Sequence, residues 1–153
     1  MEKVQREQLG DFAKRMLELV PAVREEATLI TLEGDLGAGK TTFAQALGKE
    51  LGVEDVMQSP TYVLMKSYPI DCRGFTQLLH IDVYRLTEPE EFKTLKPEEF
   101  LNDPKNLVVM EWPQKAGHTL PVPDLTLSFS SQRGEEDSRY IEVTQPRRSD
   151  FKI

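Results

Sequence analysis

The sequence predicts an α/β fold, a mixed β-sheet flanked by helices with a C-terminal antiparallel hairpin. Three observations lead there. Strand-length segments with apolar runs start at Leu29, within Gln77 to Arg85 and at Leu107, and helical spacing appears between them. A glycine-rich turn joins the first run directly to a helical pattern, in the strand, loop, helix order of a parallel α/β unit. Near the end, Leu125, Leu127 and Phe129 alternate with polar residues, and Tyr140, Ile141 and Val143 follow a polar turn, Gln132-Arg-Gly-Glu135.

The elements follow in order. Leu9, Phe12, Ala13, Met16, Leu17 and Val20 recur at helical intervals, so an amphipathic helix ends before Pro21. It reads as a helix packed on the sheet, with a second reading in which its start near Gln5 to Gln8 borders a nucleotide base. The run Leu29, Ile30, Leu32 is a buried strand. Next, Gly34-Asp-Leu-Gly-Ala-Gly-Lys-Thr41 satisfies G-x-x-x-x-G-K-[ST] at every fixed position. Phe43, Ala46, Leu47 and Leu51 then mark a helix that Gly52 closes. This is a P-loop NTPase-like arrangement. Gly34, Gly37 and Gly39 allow turns that a Cβ opposes. Backbone N–H groups then form an anion cradle at a helix N-terminus. The Lys40 ammonium is expected near the terminal phosphates and the Thr41 hydroxyl as a ligand for Mg²⁺. A glycine-rich turn that binds nothing is the bland alternative.

The loop Gln58-Ser-Pro-Thr-Tyr62 precedes an expected strand, Val63 to Tyr68. Ser59 and Thr61 there suit a sensor of the terminal phosphate, or an ordinary connection. Gln77 to Arg85 reads as a strand that ends at Asp82, and Leu107 to Pro113 as one that ends at Glu111. Ligands of parallel sheets gather at carboxyl strand ends. Asp82 and Glu111 are therefore the candidate catalytic acids, to hold Mg²⁺ or orient water, with Glu111 preferred for the metal. A helix cap or surface salt bridge is the plainer reading of each. His80 interrupts an apolar run and reads first as a hydrogen-bonded core histidine. Trp112 lines the nucleotide pocket or anchors its strand. Arg85 reaches phosphate or makes a surface ion pair. Glu88 to Asn102 reads as two short acidic helices split at Pro97, with acids favouring each N-terminus. The tail from Pro146 to Ile153 has no strong pattern.

Composition limits the function classes. At 153 residues, one domain spanning 1–153 with its own core is expected. The net charge of −7 argues against direct tight nucleic-acid binding. The sole cysteine, Cys72, excludes an internal disulfide and suits a reducing cytoplasm. No membrane-length apolar run or signal peptide is seen. A GTPase base-reading motif, Asn-Lys-x-Asp, is absent. A small-molecule kinase wants several lid arginines, yet only Arg73 and Arg85 lie between Thr42 and Ser130. An ATPase or ATP-dependent switch needs only the P-loop, Mg²⁺ ligands and a responsive loop. A non-hydrolysing ATP-dependent assembly module is the alternative.

Gly34-Asp-Leu-Gly-Ala-Gly-Lys-Thr-Thr42, Ser59-Pro-Thr-Tyr62, His80-x-Asp-x-Tyr-Arg85 and Glu111-Trp-Pro113, in that order, resemble the TsaE (YjeE) family, bacterial ATPases of tRNA threonylcarbamoyladenosine biosynthesis. The resemblance covers nearly the whole chain. It implies a weak ATPase using ATP and Mg²⁺ and working with the TsaB–TsaD threonylcarbamoyl-transfer pair, while a separate enzyme makes the threonylcarbamoyl-adenylate. The modified adenosine lies beside the anticodon in tRNAs reading codons that begin with A. By the family pattern, Gly37 to Thr42 hold phosphates, Thr41 and Glu111 hold Mg²⁺, Asp82 sits in the active site, and Ser59 to Thr61 form a switch-like loop. The N-terminal segment and the Gln132 to Ser138 turn match the family less closely.

Overall fold

Parallel strands occupy the centre of the sheet, and antiparallel strands close it on both sides. The computed structural model describes residues 1–132, 134, 135 and 137–149. In chain order the strands and helices are β1 (Glu2–Gln5), α1 (Leu9–Glu18), β2 (Thr28–Glu33), α2 (Lys40–Glu50), β3 (Met65–Cys72), β4 (Phe75–Asp82), α3 (Pro97–Leu101), β5 (Asn106–Glu111), β6 (Leu125–Ser130), β7 (Ser138–Thr144) and α4 (Pro146–Ser149). Short 3-10 segments cover Arg6–Gln8, Pro89–Leu95 and Pro113–Thr119. The seven strands lie in the order β1-β7-β6-β2-β5-β4-β3. The pairs β6–β2, β2–β5 and β5–β4 are parallel, and β1–β7, β7–β6 and β3–β4 are antiparallel. The expected mixed sheet and C-terminal hairpin are both present. Arg133 and Glu136 of the hairpin turn and residues 150–153 of the tail lie outside the described residues.

Strand alternation sorts the core into two layers. Ile30 and Leu32 of β2, Leu78 of β4, and Leu107 and Val109 of β5 pack with Phe12, Phe43 and Leu47 of α1 and α2. Leu29, Leu79, Ile81, Val108 and Met110 face the opposite layer with Phe92, Phe100, Leu101 and Ala116. His80, Asp82 and Glu111 follow the first set at intervals of two. The sequence period therefore carries all three to the side of the sheet where α2 begins. Phe12 meets Phe43 edge-on, with ring centroids 5.9 Å apart. Helix α1 thus packs on α2 as well as on the sheet. Each ring is fully buried, and truncating either to Ala should cost about 3–5 kcal/mol.

Three details differ from the sequence expectation. The strand expected from Val63 starts at Met65. Pro60 O captures the N–H groups of Val63 at 3.0 Å and Leu64 at 2.6 Å, and Leu64 takes a positive φ of 70°. A turn therefore outcompetes the β-prone side chains there. The first acidic segment is a 3-10 helix rather than an α-helix, closed by reciprocal Glu88 and Glu91 capping, and the acids still fill its first turn. Strand β1 was not anticipated, because Val4 is its one buried residue among Glu2, Lys3 and Gln5. Among the described residues no helix is long and apolar enough to cross a membrane.

Candidate functional site

The site lies where β2, β4 and β5 end beside the start of α2. The loop leaving β2 holds Gly34, Gly37 and Gly39 at φ values of 140°, 77° and 106°, which L side chains rarely adopt. Two of these positions are also crowded. A Cβ on Gly34 would stand 2.5 Å from Phe129 O, and one on Gly39 would stand 2.6 Å from Arg139 Nε. Ala38 is buried, and its N–H donates to Asp35 O at 3.1 Å. Helix α2 then opens with Gly39 as its N-cap and no side chain capping its first turn. Its early N–H groups and dipole suit an anion at that point.

Lys40 is 4% exposed. Its Nζ donates to Gly34 O and, at 3.2 Å, to Asp35 O, and it lies 3.8 Å from the centroid of the Trp112 ring. Burial pushes this ammonium below its ordinary range, while the negative charges of Glu111, Asp82 and Asp35 oppose that shift. Thr41 Oγ1 lies 2.9 Å from Oε1 and 3.0 Å from Oε2 of Glu111. Glu111 and Asp82 are register partners on β5 and β4, so their carboxylates leave the sheet side by side. Asp82 Oδ2 accepts from Thr61 Oγ1 at 2.9 Å, and Oδ1 accepts from the Tyr84 N–H at 3.0 Å. Ser59 and Thr61 hydroxyls are 2.7 Å apart. The loop Ser59 to Tyr62 is thereby tied to the end of β4.

These groups surround a cleft of about 280 Å³, with Gly37, Gly39, Lys40, Thr41, Thr42, Thr61, Asp82, Glu111 and Trp112 in its wall. Ala38 and Ser59 do not line the cleft; Ser59 is exposed and touches the lining residue Thr61. Trp112 lines the cleft, and at the end of β5 its ring lies tilted against Tyr84 with centroids 4.8 Å apart. The Arg85 guanidinium also lines the cleft and lies over the Tyr62 ring at 4.2 Å. His80 is a buried, hydrogen-bonded histidine, and its partner is Glu111.

Sequence reasoning missed Arg139. It projects from β7 against Gly39 and lines both the main cleft and a smaller one shared with Arg6, Leu9 and Thr42. Arg6 and Leu9 bring the start of α1 to the glycine loop, beside the position that the second reading of that helix gave to a base. The only sequence signal for Arg139 is its place in an alternating strand, which does not say what it faces.

Among the described residues no three His, Cys, Asp or Glu side chains converge as a metal cage. The oxygens that could hold a cation are instead those of a hydroxyl, Thr41, and a carboxylate, Glu111, with Asp82 on the next strand. An oxygen set of one or two carboxylates, completed by phosphate and water, suits Mg²⁺.

Comparison with known proteins identifies the family. The family model described as threonylcarbamoyl adenosine biosynthesis protein TsaE matches residues 4–141. The chain belongs to the TsaE family. A relative from Haemophilus influenzae, a tRNA threonylcarbamoyladenosine biosynthesis protein TsaE, is 32% identical over 86% of this chain and 80% of its own length. A protein of the same description from Streptomyces coelicolor is 32% identical over 89% of each chain. The crystal structure of Bacillus subtilis YdiB superposes with a TM-score of 0.67 at 28% identity, covering 97% of this chain and 88% of that one. The family and the mixed α/β fold are those that the sequence motifs suggested.

Proposed function

We propose that this protein is a Mg²⁺-dependent P-loop ATPase, forming one domain, that serves threonylcarbamoyladenosine formation in tRNA through the TsaB–TsaD pair in the cytoplasm. The single observation that carries the reading is the contact between Thr41 and Glu111. It places the hydroxyl of a complete G-x-x-x-x-G-K-[ST] loop against a buried carboxylate at a strand end. That pairing has little structural purpose and suits a metal–nucleotide site. The net charge of −7 favours action through protein partners over a direct grip on tRNA.

In this reading the glycine loop and the first turn of α2 bind the phosphates, and Lys40 exchanges its carbonyl contacts for phosphate oxygens. Thr41 and Glu111 would hold Mg²⁺, which supplies charge neutralisation at the terminal phosphates. Asp82 is placed to orient a water while Thr61 reports the state of the cleft to the loop Ser59 to Tyr62. Trp112 covers Lys40, its ring centroid 3.8 Å from Nζ. The intrinsic turnover is expected to be weak, with the ATP-bound loop favouring docking onto the partner pair and hydrolysis resetting the complex.

The deciding measurement is ATP hydrolysis by the purified chain, alone and with purified TsaB–TsaD, with Thr41→Ala as the blank. Turnover should rise with the pair and vanish in the variant. Turnover indifferent to the pair would remove the partner assignment. ATP binding without turnover under any condition would leave a non-hydrolysing assembly module. Equal docking of ADP-loaded and ATP-loaded protein would end the idea that the nucleotide gates docking.

A further inference from the structure

One buried side chain of the site has no part in that mechanism. His80 lies on β4 two residues before Asp82, is fully buried, and stands opposite Val109 of β5, itself two residues before Glu111. It is therefore one pleat below both acids, on the same face of the sheet. Its Nε2 is 2.6 Å from Glu111 Oε2. A carboxylate oxygen accepts, so Nε2–H donates. Nδ1 is buried and has no partner among the described residues. The imidazole thus directs its one strong hydrogen bond at Glu111.

On that face Leu78 and Val109 are apolar, and the register partner of His80 on β3 is Lys66, whose Nζ donates to Gln58. A ring with one unpartnered nitrogen is an expensive residue to bury there, and an aliphatic side chain would fill the space at lower cost. What the aliphatic chain could not do is hold a carboxylate. Glu111 is 2% exposed, and its other contact is the Thr41 hydroxyl. We propose that His80 is the positioning residue of Glu111: by fixing Oε2 from beneath, it holds the whole carboxylate, both of whose oxygens Thr41 Oγ1 meets, toward the divalent cation that the pair would hold. The inference rests on the Mg²⁺–nucleotide reading above. Its physical basis is preorganisation. A carboxylate locked by a second hydrogen bond is already oriented when the cation arrives, and such outer partners commonly change metal affinity by about 10–100-fold.

The test is Mg²⁺ titration of the ADP-loaded protein by calorimetry, alongside ADP affinity in EDTA followed by fluorescence of Trp112, the sole tryptophan. His80→Leu should weaken Mg²⁺ binding about tenfold or more and leave ADP affinity in EDTA unchanged. His80→Gln, whose amide N–H extends about as far as Nε2–H, should restore most of the loss. If His80→Leu does not fold, His80→Asn, whose shorter amide falls short of Glu111, carries the same expectation. Unchanged Mg²⁺ affinity in the donor-less variant overturns the inference alone. So does an equal loss of metal-free ADP affinity, which marks a general disturbance. Wild-type protein that binds ADP but no Mg²⁺ overturns the ATPase reading, and this inference with it.

Discussion

The two ends of the parallel sheet each bury acids, and they use them differently. At the carboxyl ends of β4 and β5, Asp82 and Glu111 accept from the hydroxyls of Thr61 and Thr41, with His80 as a further donor to Glu111. At the other end of β2, Asp124 is also buried, but its Oδ2 accepts from the Leu29 N–H at 3.0 Å and its Oδ1 stands 3.5 Å from Arg147 Nη1. The backbone donor of Asp124 cannot leave without disturbing the start of β2, the central strand of the sheet. The hydroxyl donors of Glu111 and Asp82 can rotate away when a better partner arrives, although Asp82 keeps the Tyr84 N–H and Glu111 keeps His80. Burial alone therefore does not separate the cleft acids from Asp124. What separates them is that each cleft acid holds one rotatable hydroxyl donor beside its fixed one, whereas the donors found on Asp124 are a backbone N–H and a guanidinium.

Substitutions at the cleft should test function with little loss of fold. The largest effect is expected at Lys40, where Lys40→Ala should weaken ATP binding about 100-fold by equilibrium titration, because a charge-assisted phosphate contact is lost. Retained affinity would show that Lys40 keeps its contacts with Gly34 O and Trp112 when nucleotide binds. Glu111→Ala should lower turnover about 100-fold in a steady-state assay and change nucleotide affinity far less. Equal turnover in the variant would remove Glu111 from the mechanism and erase the contrast with Asp124. Arg139→Ala should weaken nucleotide binding about tenfold, since its guanidinium borders the glycine loop. An unchanged dissociation constant would make Arg139 a packing residue for Gly39.

The same contrast explains what could be read from the sequence. The strand before Gly34, the loop and α2 are adjacent in the chain, so glycine spacing and periodicity reveal them together. Asp82 and Glu111 are legible because each closes an apolar run, and a strand's end is a local property. The partner of an acid is not local. Nothing near Glu111 names His80, which lies 31 residues away and meets it through parallel pairing of β4 with β5. Arg139 is hidden for the same reason, since its neighbour Gly39 is reached only after β7 folds back across the sheet. Strand β1 escaped because its pairing with β7, rather than its own Glu2-Lys-Val-Gln5 pattern, makes it a strand. Val63 and Leu64 show the opposite failure. Their propensity favours a strand, and a single acceptor, Pro60 O, turns them into a loop.

The smallest expected effect is at the structural acid, and its direction is the sharpest test of the comparison. Burial is the main influence on Asp124 and pushes its carboxyl above the usual carboxylate range, against the opposing pull of the Leu29 N–H and Arg147. A raised folded-state value means that the folded protein binds this proton more readily than the unfolded chain. The stabilisation is then complete below the ordinary carboxylate value and is lost as pH rises through the raised one. Asp124→Asn keeps an oxygen acceptor for Leu29 and removes the titration. Wild type should therefore gain stability over this variant as pH falls from neutrality toward the ordinary carboxylate range, measured as the difference in Tm, while ATP turnover at neutral pH stays at the wild-type value. A difference that moves the other way would mean that Arg147 holds the ionised form more strongly than burial opposes it. A loss of turnover would show that the far end of the sheet is coupled to the cleft, and the division between the two ends would fail.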